Sequence, residues 1–135
     1  MAVQLIAHAL IKQADNYLLI KRSLVKRGEL NAYPEYWDIP GGTALLNESP
    51  RQTAIRETLE EVGQKIYVSD ILHEDSNLDG DTLYTRLVYR GHIERTRSIV
   101  LDPEEHTEFR WICDLSDMKG EKIVPYLEEL FAQLP

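Results

Sequence analysis

The apolar positions of the chain change period several times, and each change marks an element. Residues 3–12 are apolar on both faces, as expected of a strand inside a sheet. Asp15-Asn16 supplies a turn, and residues 17–22 (YLLIKR) pair back as the second strand of a hairpin. Residues 23–36 show no period and contain Gly28, Asn31 and Pro34; connections this long inside a domain are uncommon and often functional. Trp37-Asp38-Ile39 reads as a short strand that enters a turn at Pro40-Gly41-Gly42, where glycines let the backbone approach a ligand closely. A helix follows over 50–62. Ser49 is its N-cap, Pro50 its first residue, Gln52 completes a capping box, and Gly63 ends it. Ile55, Leu59 and Val62 form the stripe expected to face the core.

Residues 64–74 read as a strand and 75–81, with Asn77 and Asp79-Gly80, as a hairpin turn. A long strand over 82–93 is rich in aromatic and β-branched residues. Residues 95–106 form a polar loop, 107–113 a strand, 114–120 a capped turn, and 124–134 a helix. That last helix presents Leu127, Leu130, Phe131 and Leu134 to the core. Strands and helices mix without regular βαβ alternation, so the expected class is α/β of the α+β kind, a mixed sheet between helices. No repeat or linker divides the chain, and residues 1–135 are expected to form one domain.

Composition narrows the partners. With 23 acidic and 15 basic residues the net charge is −8, and no basic stripe stands out to grip a nucleic-acid polymer. The single cysteine, Cys113, excludes an intrachain disulfide and is expected to be a small buried hydrophobe. The apolar N-terminus is too short for a membrane span and lacks the flanks of a targeting signal. A cytoplasmic protein without membrane attachment is the expectation.

Glu57, Glu60 and Glu61 share the helix face opposite the stripe, in the half where the macrodipole disfavours anions. Each like-charge pair costs roughly 0.2–0.5 kcal/mol, a penalty that a divalent cation reverses. Magnesium takes hard oxygen ligands, and three glutamates on one face offer such a half-site. The four histidines show no paired metal spacing. Tyr33, Tyr36 and Trp37 have the chemistry to stack on a base, although aromatics beside a strand also serve as core.

Gly42, Glu48, Arg56-Glu57, Glu60-Glu61 and Gly63 together have the spacing of a Nudix box, and the chain resembles the Nudix hydrolases, MutT-like members included. Thr58 and Gln64 stand where the family usually has aliphatic residues. The resemblance implies a Nudix fold and metal-dependent hydrolysis of a nucleoside diphosphate linked to another group, with Mg²⁺ or Mn²⁺. It implies Glu57, Glu60 and Glu61 as metal ligands and Glu48 as a further ligand, direct or through water. Arg56 then orients a carboxylate, Gly41 and Gly42 shape the loop, and Glu105 is the general base, with Glu48 the alternative. Residues 18–23 resemble the first half of an element found in coenzyme A hydrolases, but the second half does not match. Markers for ADP-ribose or dinucleoside polyphosphates are absent from residues 79–82. By elimination the expected substrate is a small-molecule nucleoside triphosphate. ADP-ribose, nucleotide sugars, dinucleoside polyphosphates, coenzyme A and a non-catalytic binding role remain as alternatives. Family members are often dimers, so a homodimer is the corresponding expectation.

Overall fold

Strand β1 (Ala2–Gln13) organises the computed structural model, which describes residues 1–134. Its turn falls at Ala14-Asp15, one residue earlier than expected, with Ala14 at φ 54°. Strand β2 (Asn16–Arg22) pairs with β1 only at Lys12–Tyr17 and Gln13–Asn16, after which the two diverge. The segment expected to be irregular holds two short strands, β3 (Val25–Lys26) and β4 (Glu29–Leu30), joined by Arg27-Gly28. Strand β5 (Trp37–Asp38) then pairs with β2.

The expected turn at Gly41-Gly42 is instead strand β6 (Gly41–Thr43), antiparallel to β1 with Ala7 opposite Gly42 and His8 opposite Gly41. Neither glycine has positive φ, so turning is not what selects them. Crowding is. A Cβ on Gly41 would lie 2.3 Å from the His8 ring, and one on Gly42 would lie 2.7 Å from the Glu57 carboxyl carbon.

Helix α1 (Pro50–Val62) leads to β7 (Ile66–Asp79) and β8 (Thr82–Ile93). Only Gly80-Asp81 turns between these strands; residues 75–79, expected in the turn, continue the ladder as Asp75–Arg86 and Asn77–Tyr84 pairs. Polar side chains at a solvated hairpin end do not stop backbone pairing. Strand β8 runs parallel to β1, and β9 (His106–Ile112) runs antiparallel to β2. A 3₁₀ turn (Leu115–Met118) and helix α2 (Pro125–Gln133) close the chain.

Alternation on the strands sends side chains into two cores. Ala7, Ala9, Ile11, Leu18 and Ile20 pack with Ala54 and Val62 of α1. Leu10, Leu19 and Val88 pack with Leu127 and Leu130 of α2, the face expected of that helix. Truncating Leu127 or Leu130 to alanine costs about 2–5 kcal/mol. The expected sandwich of helices around a mixed sheet is what forms.

Two side chains depart from the expected pattern. Leu59 is 51 % exposed, whereas Thr53, Ala54, Thr58, Glu61 and Val62 form the buried face of α1. The close seating of the helix on β6 favours small residues there and draws Glu61 inward. Cys113 is exposed, because β9 ends at Ile112 and that residue takes the buried place. Among the described residues no helix is long and apolar enough to cross a membrane.

Candidate active site

The caps of α1 fix the carboxylates it carries. Ser49 accepts from the Gln52 amide, Gln52 accepts from the Ser49 amide, and Gly63 closes the helix at φ 70°. Just ahead of the cap, Glu48 accepts from Thr53 Oγ1 at 2.7 Å, from the Leu45 amide at 3.1 Å, and from two guanidinium nitrogens of Arg56 at 2.7 and 3.0 Å. The Arg56 hydrogen bonds hold Glu48 down to about 2. Arg56 also donates to Glu57 at 2.9 Å and to Glu60 at 3.2 Å, so one cation serves three glutamates.

Among the described residues Glu61 meets no such cation. It is 3 % exposed and accepts from the Gly41 amide at 2.8 Å. Burial, with Glu57, Glu105 and Asp38 nearby, raises it well above the usual carboxylate range. Glu57 is raised as well, chiefly by burial. His106 Nδ1 lies 3.4 Å from the other Glu61 oxygen. Burial lowers His106 to about 4, so this is a neutral imidazole beside a carboxyl that resists ionisation, rather than an ion pair. The contact is not aligned for a hydrogen bond, and Nδ1 is buried without a partner among the described residues.

Glu105 completes the acidic wall from the loop before β9 and is bridged by Lys26. Burial raises Glu105, but Lys26 outweighs it and leaves the group below its ordinary value. Lys26 and Arg27, at the β3–β4 hairpin, line a cavity of about 1090 Å³ together with these carboxylates, Lys26 reaching Glu105. Arg22 is committed elsewhere, donating to Ala32 O, Asp38 and Asn31 at 2.7, 3.2 and 3.2 Å.

The three aromatics separate. Tyr33 lines the cavity and is 52 % exposed. Tyr36 packs against the core beneath Lys122, outside the cavity lining. Trp37 is 1 % exposed in the α2 core, its Nε1 turned to Glu121 at 3.4 Å. An indole enclosed by core side chains has no free face for a base, so the substrate-stacking expectation for Trp37 is corrected.

A buried polar network lines the same cavity, with Asp38 close to Glu61, and the glutamate spacing does not foretell it. Tyr126 donates to Asp38, and its hydroxyl lies 3.3 Å from His8 Nδ1. Arg86 lies over the Tyr126 ring at 4.1 Å and donates to Asp75 at 3.1 Å, while Asp75 meets His73 at 2.7 Å. Burial raises Asp38, but His8, Arg22 and the Tyr126 hydroxyl outweigh it and hold the group below its ordinary value. Its sequence signal was a polar residue at alternate positions of otherwise apolar strands, as at His8.

The oxygen donors of Glu57, Glu60, Glu61 and Glu105 fit a hard divalent cation. Glu61 in particular is a buried carboxylate surrounded by its own sign, an environment that excess positive charge relieves. Among the described residues no three such side chains are gathered ready around one point. Arg56 holds Glu57 and Glu60, which must turn from it to bind.

Comparison with known proteins gives the setting of this site. A model of the NUDIX domain family matches residues 4–134. An uncharacterized Nudix hydrolase of Listeria innocua is 35 % identical over 140 residues, spanning 96 % of this chain and 78 % of that protein. The MutT protein of Methanosarcina mazei superposes with a TM-score of 0.79 at 25 % identity, over 98 % of this chain and 92 % of that one. An Ap4A hydrolase of C. elegans has the same fold, with a TM-score of 0.73 at 21 % identity over 96 % and 93 % of the two chains.

Proposed function

Because the chain belongs to the Nudix family, as a pyrophosphohydrolase acting on acid anhydrides, we propose that it cleaves nucleoside triphosphates with Mg²⁺ or Mn²⁺. The observation that carries this reading is the buried, cation-free Glu61 at the floor of a cavity flanked by Glu57 and Glu105. Glu57, Glu60 and Glu61 would hold the cation, with Glu48 fixing Arg56 beside them. A cation bound there offsets phosphate charge and favours ionisation of the attacking water.

The chain's own residues do the rest. Lys26 and Arg27 face the phosphates from the hairpin. Glu105 accepts the proton of the attacking water; Lys26, when drawn to a substrate phosphate, releases the carboxylate and restores its basicity. The Gly41 amide holds Glu61 in place, and Gly42 leaves room for the Glu57 carboxyl group. Tyr33 offers an exposed ring at the cavity mouth.

The test is a panel of nucleoside triphosphates, ADP-ribose, dinucleoside polyphosphates, nucleotide sugars and coenzyme A, each with Mg²⁺ or Mn²⁺. Released monophosphate and pyrophosphate from a triphosphate support the reading. A clear preference for any other class replaces it.

A further inference from the structure

The sheet face beyond α2 carries polar side chains that hydrolysis does not use. α2 has nine residues, about 13 Å of helix, whereas β8 has twelve, about 40 Å of strand. Alternation places Val88 beneath α2, and Arg86 and Tyr84 continue the same face past the end of the helix. Register sets Asp75 opposite Arg86, Asn77 opposite Tyr84 and Ile6 beside Arg86, and all five line the cavity.

Arg86 is braced on three sides. Nη1 donates to Asp75 at 3.1 Å, Nε donates to His8 Nε2 at 3.4 Å, and the guanidinium lies 4.1 Å from the Tyr126 ring centre. Its Nη2 has no hydrogen-bond partner among the described residues, and neither has the Asn77 amide or the Tyr84 hydroxyl. A rigid donor and two free polar groups thus surround one side of the cavity.

Charge decides what they take. Asp75 already balances Arg86, and Glu129 adds a negative group at the same cavity wall, so a phosphate gains little there. The cations suited to phosphate, Lys26 and Arg27, are on the hairpin. The Arg86 guanidinium can only donate, and both Asp75 oxygens are already engaged, so an oxygen at purine C6 or pyrimidine C4 is met by a donor there, whereas an amino group at the same position opposes donor to donor. The Asn77 amide and Tyr84 hydroxyl, which can donate or accept, turn their donors to the same oxygen. The register Arg86–Ile6–Thr43 spans two strand spacings, about 10 Å, which leaves space for the ribose and phosphates before the carboxylates are reached.

We infer that Arg86, with Asn77 and Tyr84, forms the specificity site for a nucleobase with an oxygen at purine C6 or pyrimidine C4, guanine or uracil, over one with an amino group there, adenine or cytosine. The inference rests on the nucleotide reading above and names the part of the substrate that is not hydrolysed.

Calorimetric titration with GMP, UMP, AMP and CMP in Mg²⁺ tests it, since monophosphates bind without turnover. GMP and UMP should bind about tenfold or more tighter, the range of one hydrogen bond to a charged donor. Arg86→Gln should abolish the preference. Because that change leaves Asp75 without its partner, Asn77→Ala and Tyr84→Phe repeat the test at exposed positions and should narrow it several-fold. Equal affinities for the four ligands, or a preference that persists in all three variants, overturns the inference. Selective binding without hydrolysis of any triphosphate sinks the proposed reaction and leaves the base site standing. Hydrolysis with unselective binding does the reverse.

Discussion

Two groups of buried and half-buried polar side chains line the same cavity, and their pairing differs. Asp38, Tyr126, Arg22, Arg86 and Asp75 each meet a partner at hydrogen-bonding distance, so their desolvation is offset within the protein. Among the described residues Glu61 has one backbone donor, His106 Nδ1 has none, and Glu57 shares its arginine with two other glutamates. Balanced charge of this kind keeps a shape. A surplus of one sign inside the fold instead costs stability, and the protein recovers it when the opposite charge arrives.

The largest effect expected from that difference is on the acidic side. Glu61→Gln or Glu60→Gln should lower turnover by orders of magnitude while the fold survives; near-normal Mg²⁺-dependent hydrolysis by Glu61→Gln would remove it from the ligand set. Stability should move the other way. A carboxyl raised in the folded state costs nothing below the ordinary 4.5, where folded and unfolded chains are both protonated. The cost grows as pH rises above that value, because only the unfolded chain ionises freely. In EDTA the melting temperature of Glu61→Gln should therefore match wild type near pH 4 and exceed it increasingly toward pH 7, and Mg²⁺ should narrow the gap. Glu48 has the opposite sign: lowered to about 2, it stabilises above 4.5, and that contribution is lost as pH falls from 4.5 to about 2. Glu48→Gln should flatten this acid limb.

Glu105→Gln comes next, with a fall in kcat of about 10²–10⁴-fold, metal affinity unchanged and a flattened acidic limb of the pH–rate profile. A silent Glu105→Gln, with that limb lost in Glu48→Gln, assigns the base to the box instead. The balanced side should respond in the other observable. Tyr126→Phe removes the hydroxyl from buried Asp38 and should cost about 1–3 kcal/mol in urea unfolding, with kcat within a few-fold of wild type. A large kcat loss at unchanged stability would erase the distinction between the two groups. Smallest is Tyr33→Ala, which should raise KM several-fold, leave kcat unchanged and shift stability by no more than about 0.5 kcal/mol. Tyr36→Ala, at a residue packed against the core, should show the reverse.

What the sequence made legible was local. The Ser49, Pro50, Gln52 and Gly63 signals place α1 at its observed ends, because caps act within a few residues. The glutamate spacing put Glu57 and Glu61 in the cavity, and the apolar stripe held at Val62 and Ile55 but failed at Leu59, which lies outside while Glu61 lies inside. Gly41 and Gly42 looked like turn formers; their role appears only once His8 and Glu57 are brought against them. Asp75 and Asn77 have the polarity of turn residues but lie in the ladder. Their pairing with Arg86 and Tyr84 depends on hairpin register, which composition does not encode.

The parallel β1–β8 ladder joins Ala2 to Thr82 and Ile11 to Gly91, and this has a consequence for how the molecule comes into being. α1 can form from neighbours alone, but Gly41 is positioned by β1, whose long ladder partner arrives some eighty residues later in the chain. Contacts so distant in sequence close slowly. During synthesis β1 emerges before β8, apolar on both faces, and its inner edge stays open until β8 has left the ribosome. The cavity is accordingly among the last parts of the protein to exist, and the strand that supports its floor is the segment most exposed to wrong partners in the meantime.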